Sequence, residues 1–471
     1  MYPGLTGSKW RNERLASQGQ PMMRPKAASA PLQARPRWLN RRFGFDRKGT
    51  TLSREVLAGL TTFTTMSYIV VVNPAILSAA GIPDGPSFVA TALLAAFGCY
   101  LMAFYANRPF AIAPYMGENA FIAYTVCKAL GIPWQTALAA IFIAGLLFVL
   151  MTVLHLRQWI VEGVPTSLRY SFAVGMGLFL TFIGLNETGI VRLGVAGAPV
   201  QAGNLASAPI LVAIFGIVLL TALIIRKVPG AILLGILGTA AIAFLAKVAV
   251  APKQFVSFPP SLTPILWRLD FRGAMTWKAF PVVLTIFVMA FVDTMGTLIG
   301  LSARAGFLDK DGHLPQIERP MLVDAISTCV APAIGTTTSG AYVESATGIE
   351  AGGRTGFTVI VTGTCFLLTL FFAPLVAAIP PQAYGPALIL VGLFMLAPIT
   401  RIDFADFTES IPAFAVVTLM AFTFNIAIGI CAGFVLYPFC KIVAGKTSQL
   451  RSGLWVLTAL SLLFFVFYPY H

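Results

Sequence analysis

Charged side chains are scarce in this sequence, and their scarcity excludes a soluble protein. Only 11% of the 471 residues are Asp, Glu, Lys or Arg, whereas soluble proteins carry about 25%. The chain is instead 57% hydrophobic, with a mean hydropathy of +0.83. Its apolar runs are long and do not alternate with polar residues, which predicts an all-α membrane protein and not a β-barrel.

Metal-ligating and nucleophilic patterns are also missing. The three histidines are far apart and the six cysteines form no CxxC pair, so we expect neither a metal site nor a disulfide framework. There is no HExxH motif, and no Ser or Cys nucleophile stands beside a recognisable base. We therefore expect no enzyme and no cofactor. The N-terminus also lacks the short apolar stretch of a cleavable signal peptide.

The excess of positive charge is explained by membrane topology. The net charge of +14 resides largely in residues 1–47 and in short loops between apolar runs, where the positive-inside rule places Lys and Arg. This distribution predicts a cytoplasmic N-terminus and no nucleic-acid partner. Residues 1–47 have the composition of a disordered tail attracted to anionic lipid.

The apolar runs form a pattern that occurs twice along the chain. Two short, Gly- or Pro-interrupted stretches, PYMGENAFIAYTV and SGAYVESATGIEA, each carry one central Glu and hold corresponding places in the two halves. Such a pair of broken segments indicates a transporter's binding site. Seven segments per half place the second half upside down, so we predict about 14 transmembrane segments in two inverted repeats. The last apolar run, 453–468, lies outside the repeat, and its course through or along the membrane stays open.

Asp293 is the first candidate site residue. It lies with Gly296, Thr297 and Gly300 at i, i+3, i+4 and i+7, so the four share one helical face and form a shallow notch. An intramembrane acid is costly and indicates a functional site, although a structural Asp paired with a buried donor is the alternative. Desolvation favours the protonated form of a carboxyl group, as proton coupling requires.

Glu344 lies in the broken stretch 335–353, where glycines 335, 340, 348, 352 and 353 interrupt the helix. The start of a half-helix supplies unpaired N–H groups beside this carboxylate, and together they suit a planar heterocycle. Tyr342 could stack on such a ring or pack against lipid. In the first half, Glu118 and Asn119 occupy the mirrored position; an Asn suits a heterocycle edge but also suits a helix–helix hydrogen bond. Glu350 and Arg354, at i and i+4, predict an ordinary ion pair.

These motifs resemble those of a known family. FGFDRKGTTLSREVLAGLTTFTTMSYIVVVNPAILSAAG, MGENAFIAYTV, FVDTMGTLIG and GTTTSGAYVESATGIEAGGRTG are similar to the AzgA-like purine permeases of the nucleobase–cation symporter 2 superfamily. The likeness covers about residues 43–450. It implies a bacterial inner-membrane importer of hypoxanthine, guanine or adenine, driven by proton symport through elevator-like alternating access. A homodimer formed through the gate domain is common in related folds.

The resemblance also implies a division of the chain. It gives a tail (1–47), core segments 1–4 (48–158), gate segments 5–7 (159–250), a connecting loop (251–278), core segments 8–11 (279–379), gate segments 12–14 (380–446) and a C-terminal apolar segment (447–471). The substrate would sit at the crossing of broken segments 3 and 10, beside segment 8. Asp293 and Glu344 would then bind substrate and proton, with Glu118, Asn119, Thr297 and Tyr342 completing the site.

Two departures bear on the substrate. Glu118 stands where the family reads an apolar residue in MGLNA, and Met295 stands where it reads Thr. A pyrimidine, xanthine or carboxylate carried on the same scaffold is therefore the alternative within transport. An uncoupled uniporter is another, and an intramembrane hydrolase using Asp293 and Glu344 is the alternative from a different class.

Overall fold

The computed structural model describes residues 37–154, 163–195, 198–277, 279–308 and 314–467. The helices of the first half are Leu52–Met66 with Ile69–Ser78 (segment 1), Asp84–Leu101 with Met102–Ala106 (segment 2), Met116–Ala120 with Phe121–Ala129 (segment 3), Trp134–Val153 (segment 4), Thr166–Glu187 (segment 5), Ala208–Ile225 (segment 6) and Ala231–Leu245 (segment 7).

The second half repeats this series. Its helices are Phe280–Ala305 (segment 8), Glu318–Ala333 (segment 9), Ser345–Glu350 (segment 10), Phe357–Thr369 with Leu370–Phe372 and Ala373–Ala377 (segment 11), Pro381–Met395 with Ala397–Arg401 (segment 12), Phe407–Phe422 (segment 13) and Ile426–Val443 (segment 14). Helices outside the repeat are Arg37–Phe43, Phe271–Ala274, Thr447–Gln449 and Ser452–Phe467. The predicted all-α, two-repeat architecture is confirmed.

Apolar length supports a membrane setting. Among the described residues, segments 1, 2, 4, 5, 6, 11, 12 and 14 are long and apolar enough to cross a bilayer. Segments 7, 8 and 13 and the C-terminal helix contain shorter apolar helices. Segments 3 and 10 are the two broken ones, as the sequence predicts.

Four short strands accompany the helices: β1 (Ile112–Pro114), β2 (Val191–Val195), β3 (Ala198–Ala202) and β4 (Ser339–Ala341). β2 and β3 pair in antiparallel fashion after segment 5. β1 and β4 come from the two broken segments and also pair antiparallel, with Ala113 opposite Gly340. This second pairing joins the two repeats.

Packing between segments follows a regular scheme. Segments 1 and 2 pack on segment 11, and segment 4 packs on segment 9. Segment 5 packs on segments 12 and 13, segment 13 on segment 14, and segment 6 on segments 7 and 12.

Segment 1 is interrupted at a place that its proline does not explain. The Asn73-Pro74 pair predicts a kink, but the helix Ile69–Ser78 continues through Pro74, and the interruption lies at Ser67 and Tyr68. A helical proline disturbs the turn back to the carbonyl four residues before it, here Val70, so the interruption lies beyond its direct reach. The interruption leaves Tyr68 buried and directed towards segment 10.

The structure describes only part of the predicted disordered tail, residues 1–47. Residues 1–36 of the predicted disordered tail lie outside the described residues, but Arg37–Phe43 is helical, so disorder does not extend over that part. Leu39 and Phe43, at i and i+4, are buried and give the helix an apolar face.

The C-terminal helix, Ser452–Phe467, lies alongside segment 14. Thr458 donates a hydrogen bond to the carbonyl of Phe434 (2.8 Å). Ser461 lines a small cavity with Ile430 and Cys431, earlier in segment 14. The helix therefore runs antiparallel to segment 14.

Candidate functional site

The site is built around the pairing of β1 with β4. Gly340 is required there, because a Cβ at this position would lie 2.1 Å from the Tyr115 hydroxyl. Tyr115 N–H donates to the Thr338 carbonyl (3.0 Å), and Tyr342 N–H donates to the Ala111 carbonyl (2.9 Å). Each strand leads into a helix, at Met116 and at Ser345. Two helix starts thus lie at one crossing. At the second, the N–H groups of Ser345 and Thr347 already donate to the carbonyls of Tyr342 (3.0 Å) and Glu344 (3.0 Å).

Glu118 lies in the first turn of the helix that follows β1. Its side chain is fully buried, and neither carboxylate oxygen has a hydrogen-bond partner in the described part of the chain. The hydroxyl of Thr338, on the other broken segment, lies beside this carboxyl group and is the side-chain donor directed at it. Buried polar atoms are nearly always paired, so such a group indicates a place for a ligand, a proton or water.

Asn119 is engaged by the scaffold. Its amide nitrogen donates to the side-chain oxygen of Asn73, and Thr337 donates to its amide oxygen. Asn73 in turn donates to Thr91 (2.7 Å) and Thr336 (3.2 Å). This network fits the interpretation of Asn119 as a helix–helix hydrogen bond, although one N–H and one lone pair of its amide are left over.

Segment 8 presents the predicted face to open space. Asp293 and Thr297 are half-buried, and a Cβ built on Gly296 or Gly300 would meet no atom within 4 Å. The small residues therefore leave room beside the carboxyl group. Segment 8, which carries this notch, contacts segment 10 and β4.

Asp324 of segment 9 belongs to the same region and was missed by the sequence reasoning. It is buried, it accepts a hydrogen bond from Thr294 of segment 8, and it interacts electrostatically with Asp293 and Glu118. The signal was present, since Asp324 is an acid inside the apolar run MLVDAISTCVAPAI. Like Asp293, Asp324 is a costly intramembrane acid and therefore indicates a functional site.

Glu344 closes the other side of the crossing. It precedes the helix Ser345–Glu350, and Tyr68 of segment 1 donates a hydrogen bond to its Oε1 (2.6 Å). The side chain is half-buried, and the adjacent Val343 is exposed. A carboxylate held by one phenol keeps acceptor capacity for a ligand.

Tyr342 is buried at the crossing, and its predicted stacking on a bound base stays a prediction. Its ring stacks on Tyr115, with centroids 6.3 Å apart and planes 10° from parallel, and its hydroxyl donates to the Pro114 carbonyl. Only 6% of the residue is exposed, which does not fit the lipid-facing alternative. Tyr342 thus fastens β4 to β1.

The predicted Glu350–Arg354 ion pair is wrong. The helix ends at Glu350, so the i, i+4 geometry does not extend to Arg354. Glu350 pairs instead with Arg304 at the end of segment 8 (2.9 Å). Arg354 donates to the carbonyls of Ile349 (2.9 Å) and Gly353 (3.1 Å).

The structure also contains a cavity of about 390 Å³ away from the crossing. It lies where segments 1 and 11 end and segments 2 and 12 begin, and none of the predicted site residues lines it. The chemistry at the crossing, and not this cavity, therefore locates the candidate site.

In the described residues no group of three or more His, Cys, Asp or Glu could hold a metal ion.

Broken segments crossing at membrane depth, lined by acids, define the class of this protein as a secondary transporter. Residues 53–431 match the model of the Permease family (Xan_ur_permease). The chain belongs to that family, and it is a permease and not an enzyme.

Curated relatives cover nearly the whole chain. It is 39% identical over 423 residues to the adenine permease AdeQ of Escherichia coli (strain K12), covering 90% of this chain and 95% of that one. It is 37% identical over 436 residues to the guanine/hypoxanthine permease PbuG of Bacillus subtilis (strain 168), covering 90% and 99%. Among solved structures, the transmembrane domain of the cyanobacterial bicarbonate transporter BicA has the same fold. That likeness has a TM-score of 0.62 at 15% identity and covers 81% of this chain and 97% of the other.

Proposed function

We propose that this permease imports purine nucleobases by proton symport, with the base bound where β1 crosses β4. The observation that carries the proposal is the meeting of two broken segments, one bringing Glu118 and the other Glu344, beside Asp293. Purine edges combine N–H donors with ring-nitrogen or carbonyl acceptors. Carboxylates accept hydrogen bonds from the N–H donors, and hydroxyl groups such as that of Thr297 can donate to the acceptors.

The names of the relatives support the same substrate class. They are permeases for adenine and for guanine and hypoxanthine, and they align along almost their full length. Glu344 and Asp293 are the proposed substrate and proton ligands, and Glu118 faces the base from segment 3. Thr297 lies one turn from Asp293 and contributes a hydroxyl to the notch.

The packing scheme supports an elevator-like movement. Segments 1–4 and 8–11 would form the core, and segments 5–7 and 12–14 the gate against which it moves. The paired strands tie segments 3 and 10 together, so the whole site would travel as one unit. With a cytoplasmic N-terminus in the inner membrane, segments 1, 5 and 11 end at the outer face. A homodimer through the gate domain is part of this proposal.

The first test is uptake of labelled adenine, guanine and hypoxanthine by cells that lack purine transport. Glu344→Gln removes one acceptor from the proposed ligand contact, and a hydrogen bond to a charged group contributes about 1.5–3 kcal/mol. We therefore expect uptake at low substrate concentration to fall about tenfold or more. Glu350→Gln, six residues away and outside the site, is the matched control.

Two further readings separate the alternatives. Saturable uptake that a protonophore collapses supports proton symport, whereas uphill accumulation absent both with and without the protonophore indicates a uniporter. Absence of uptake of any purine by well-expressed wild type would overturn the purine assignment. Competition by unlabelled pyrimidines, xanthine and carboxylates would then identify the solute.

A further inference from the structure

We propose that Tyr124 and Thr125 of segment 3, Glu187 of segment 5 and the backbone at Phe424 form an outer gate, which closes the route between the site and the outer face. The inference rests on the proposed function, because alternating access and the orientation come from it. It adds a set of residues that neither binds substrate nor belongs to the crossing.

One carboxylate holds two phenols. Tyr124 donates to Oε1 of Glu187 (2.8 Å), and Tyr384 donates to Oε2 (3.1 Å). Glu187 is the last residue of segment 5, and Tyr384 lies in the first turn of segment 12. Segment 3 is thereby fastened to the two segments on which it must move. Hydrogen bonds to a carboxylate are about twice as strong as neutral ones.

A second contact lies beside the first. Thr125 donates to the Phe424 carbonyl (2.6 Å), in the turn between segments 13 and 14. Phe424 has a left-handed backbone (φ +55°), which turns its carbonyl and ring towards segment 3. Its ring packs against Tyr124 (6.2 Å), Phe179 (5.0 Å) and Phe182 (5.4 Å). Four aromatic rings thus form an apolar plug around the polar contacts.

An elevator movement of the core would break some of these hydrogen bonds and leave others intact. Tyr124 and Thr125 follow Glu118 by six and seven residues on the same segment, in the helix Phe121–Ala129. Any displacement that carries the crossing along the gate must therefore break both of their bonds. The Tyr384–Glu187 bond joins two gate segments and would persist. Glu187 would therefore stay in place with the gate, while Tyr124 would bind to it when the gate closes and separate from it when the gate opens.

The cavity of about 390 Å³ lies on the outer side of the proposed gate. Tyr384 lines it, together with Pro74, Asp84 and Phe88 from segments 1 and 2. The same tyrosine that holds Glu187 therefore forms a wall of the cavity, which lies at the outer ends of its segments. Its volume is in the range of small-molecule pockets. We assign it as the vestibule from which a solute reaches the gate.

The test uses the native cysteines of the full-length protein in intact cells. Cys127 lies two residues beyond Thr125, on the outer side of the gate, and is half-buried, so its labelling rate reports whether the outer end of segment 3 is packed or released. Cys440, at the inner end of segment 14, is the internal control. A membrane-impermeant maleimide is applied, and peptide mass spectrometry gives the labelling rate of each cysteine. Tyr124→Phe removes the hydroxyl that bonds segment 3 of the core to Glu187. Tyr384→Phe removes the hydroxyl that bonds segment 12 of the gate to the same carboxylate. The two variants therefore each delete one phenol oxygen, and they differ only in the segment that loses its bond to Glu187.

We expect Tyr124→Phe to raise the labelling rate of Cys127 about tenfold, with Tyr384→Phe leaving it within about twofold. Thr125→Val should also raise it and serves as the second variant if Tyr124→Phe is poorly expressed. Equal labelling in the two tyrosine variants, or no increase in Tyr124→Phe and Thr125→Val, would overturn the gate. The labelling needs no purine, so it reports on the gate even where uptake assays reject the purine assignment.

Discussion

Two buried glutamates in this permease have opposite surroundings. Glu55, in the first turn of segment 1, is fully buried and accepts hydrogen bonds from the N–H groups of Arg354 (2.9 Å), Thr355 (3.3 Å) and Thr358 (3.2 Å). The hydroxyls of Thr355 (2.8 Å) and Thr358 (2.5 Å) donate to it as well. Glu118 is equally buried, yet its carboxylate oxygens accept no hydrogen bond within the described chain.

The difference separates scaffold from site. Glu55 caps the start of segment 11 and ties it to segment 1, so its charge is satisfied by the fold itself. Glu118 carries the desolvation cost of a buried carboxyl group with only the neighbouring Thr338 hydroxyl to offset it. Burial alone therefore does not mark a functional acid in a membrane protein. The discriminating property is the set of donors around it.

Glu55→Gln should have the largest effect on stability. The Gln amide group would place N–H donors against the N–H and hydroxyl donors that now bond to the carboxylate. The loss of two charge-assisted hydrogen bonds would lower the free energy of unfolding by about 3 kcal/mol. We expect a clearly lower Tm and a smaller monodisperse fraction after detergent extraction, measured by thermal unfolding with size-exclusion chromatography. Glu350→Gln is the control, because its exposed ion pair contributes at most about 1 kcal/mol. Equal Tm values for the two variants would show that the Glu55 cluster is not a structural cap.

Glu118→Gln should leave stability intact and change transport. Only the weak contact with the Thr338 hydroxyl changes, so Tm should stay within a degree or two of wild type. A carboxyl group that meets the base directly should change the ratio of kcat/KM between adenine and guanine by about tenfold, since the two bases present different donors on the same edge. The measurement is uptake kinetics with both bases. A Tm loss as large as that of Glu55→Gln would erase the contrast between the two glutamates.

Tyr342→Phe should have the smallest effect. It removes one neutral hydrogen bond to Pro114 while keeping the ring stacked on Tyr115, a loss of about 1 kcal/mol. We expect KM for purines to change less than about threefold and Tm to fall slightly. A severe loss of uptake with normal Tm would mean that the Tyr342 hydroxyl contacts the substrate instead of the strand.

Local patterns predicted most of the architecture. Apolar length located the segments, and the Gly-rich stretch around Glu344 located the break. The 3.6-residue period placed Asp293, Gly296, Thr297 and Gly300 on one open face. These features depend on residues close together in the chain.

What escaped prediction depends on distant partners. Glu55 meets Thr358 across 303 residues, and nothing near Glu55 in sequence indicates that cap. Arg304 captures Glu350 from segment 8, while the end of the helix takes Arg354 out of reach. Tyr342 meets Tyr115 because two repeats are placed face to face. A single sequence shows which groups need partners but not which partners they find.

The C-terminal helix has a mechanical consequence. Thr458 attaches it to segment 14 by a hydrogen bond, whereas Leu457 and Leu460 share the lining of a small, mostly apolar cavity with Leu284 and Val288 of segment 8. Apolar contact has no preferred direction, so it tolerates sliding better than a hydrogen bond does. In the proposed elevator movement, this helix would therefore stay with segment 14 while segment 8 slides past it.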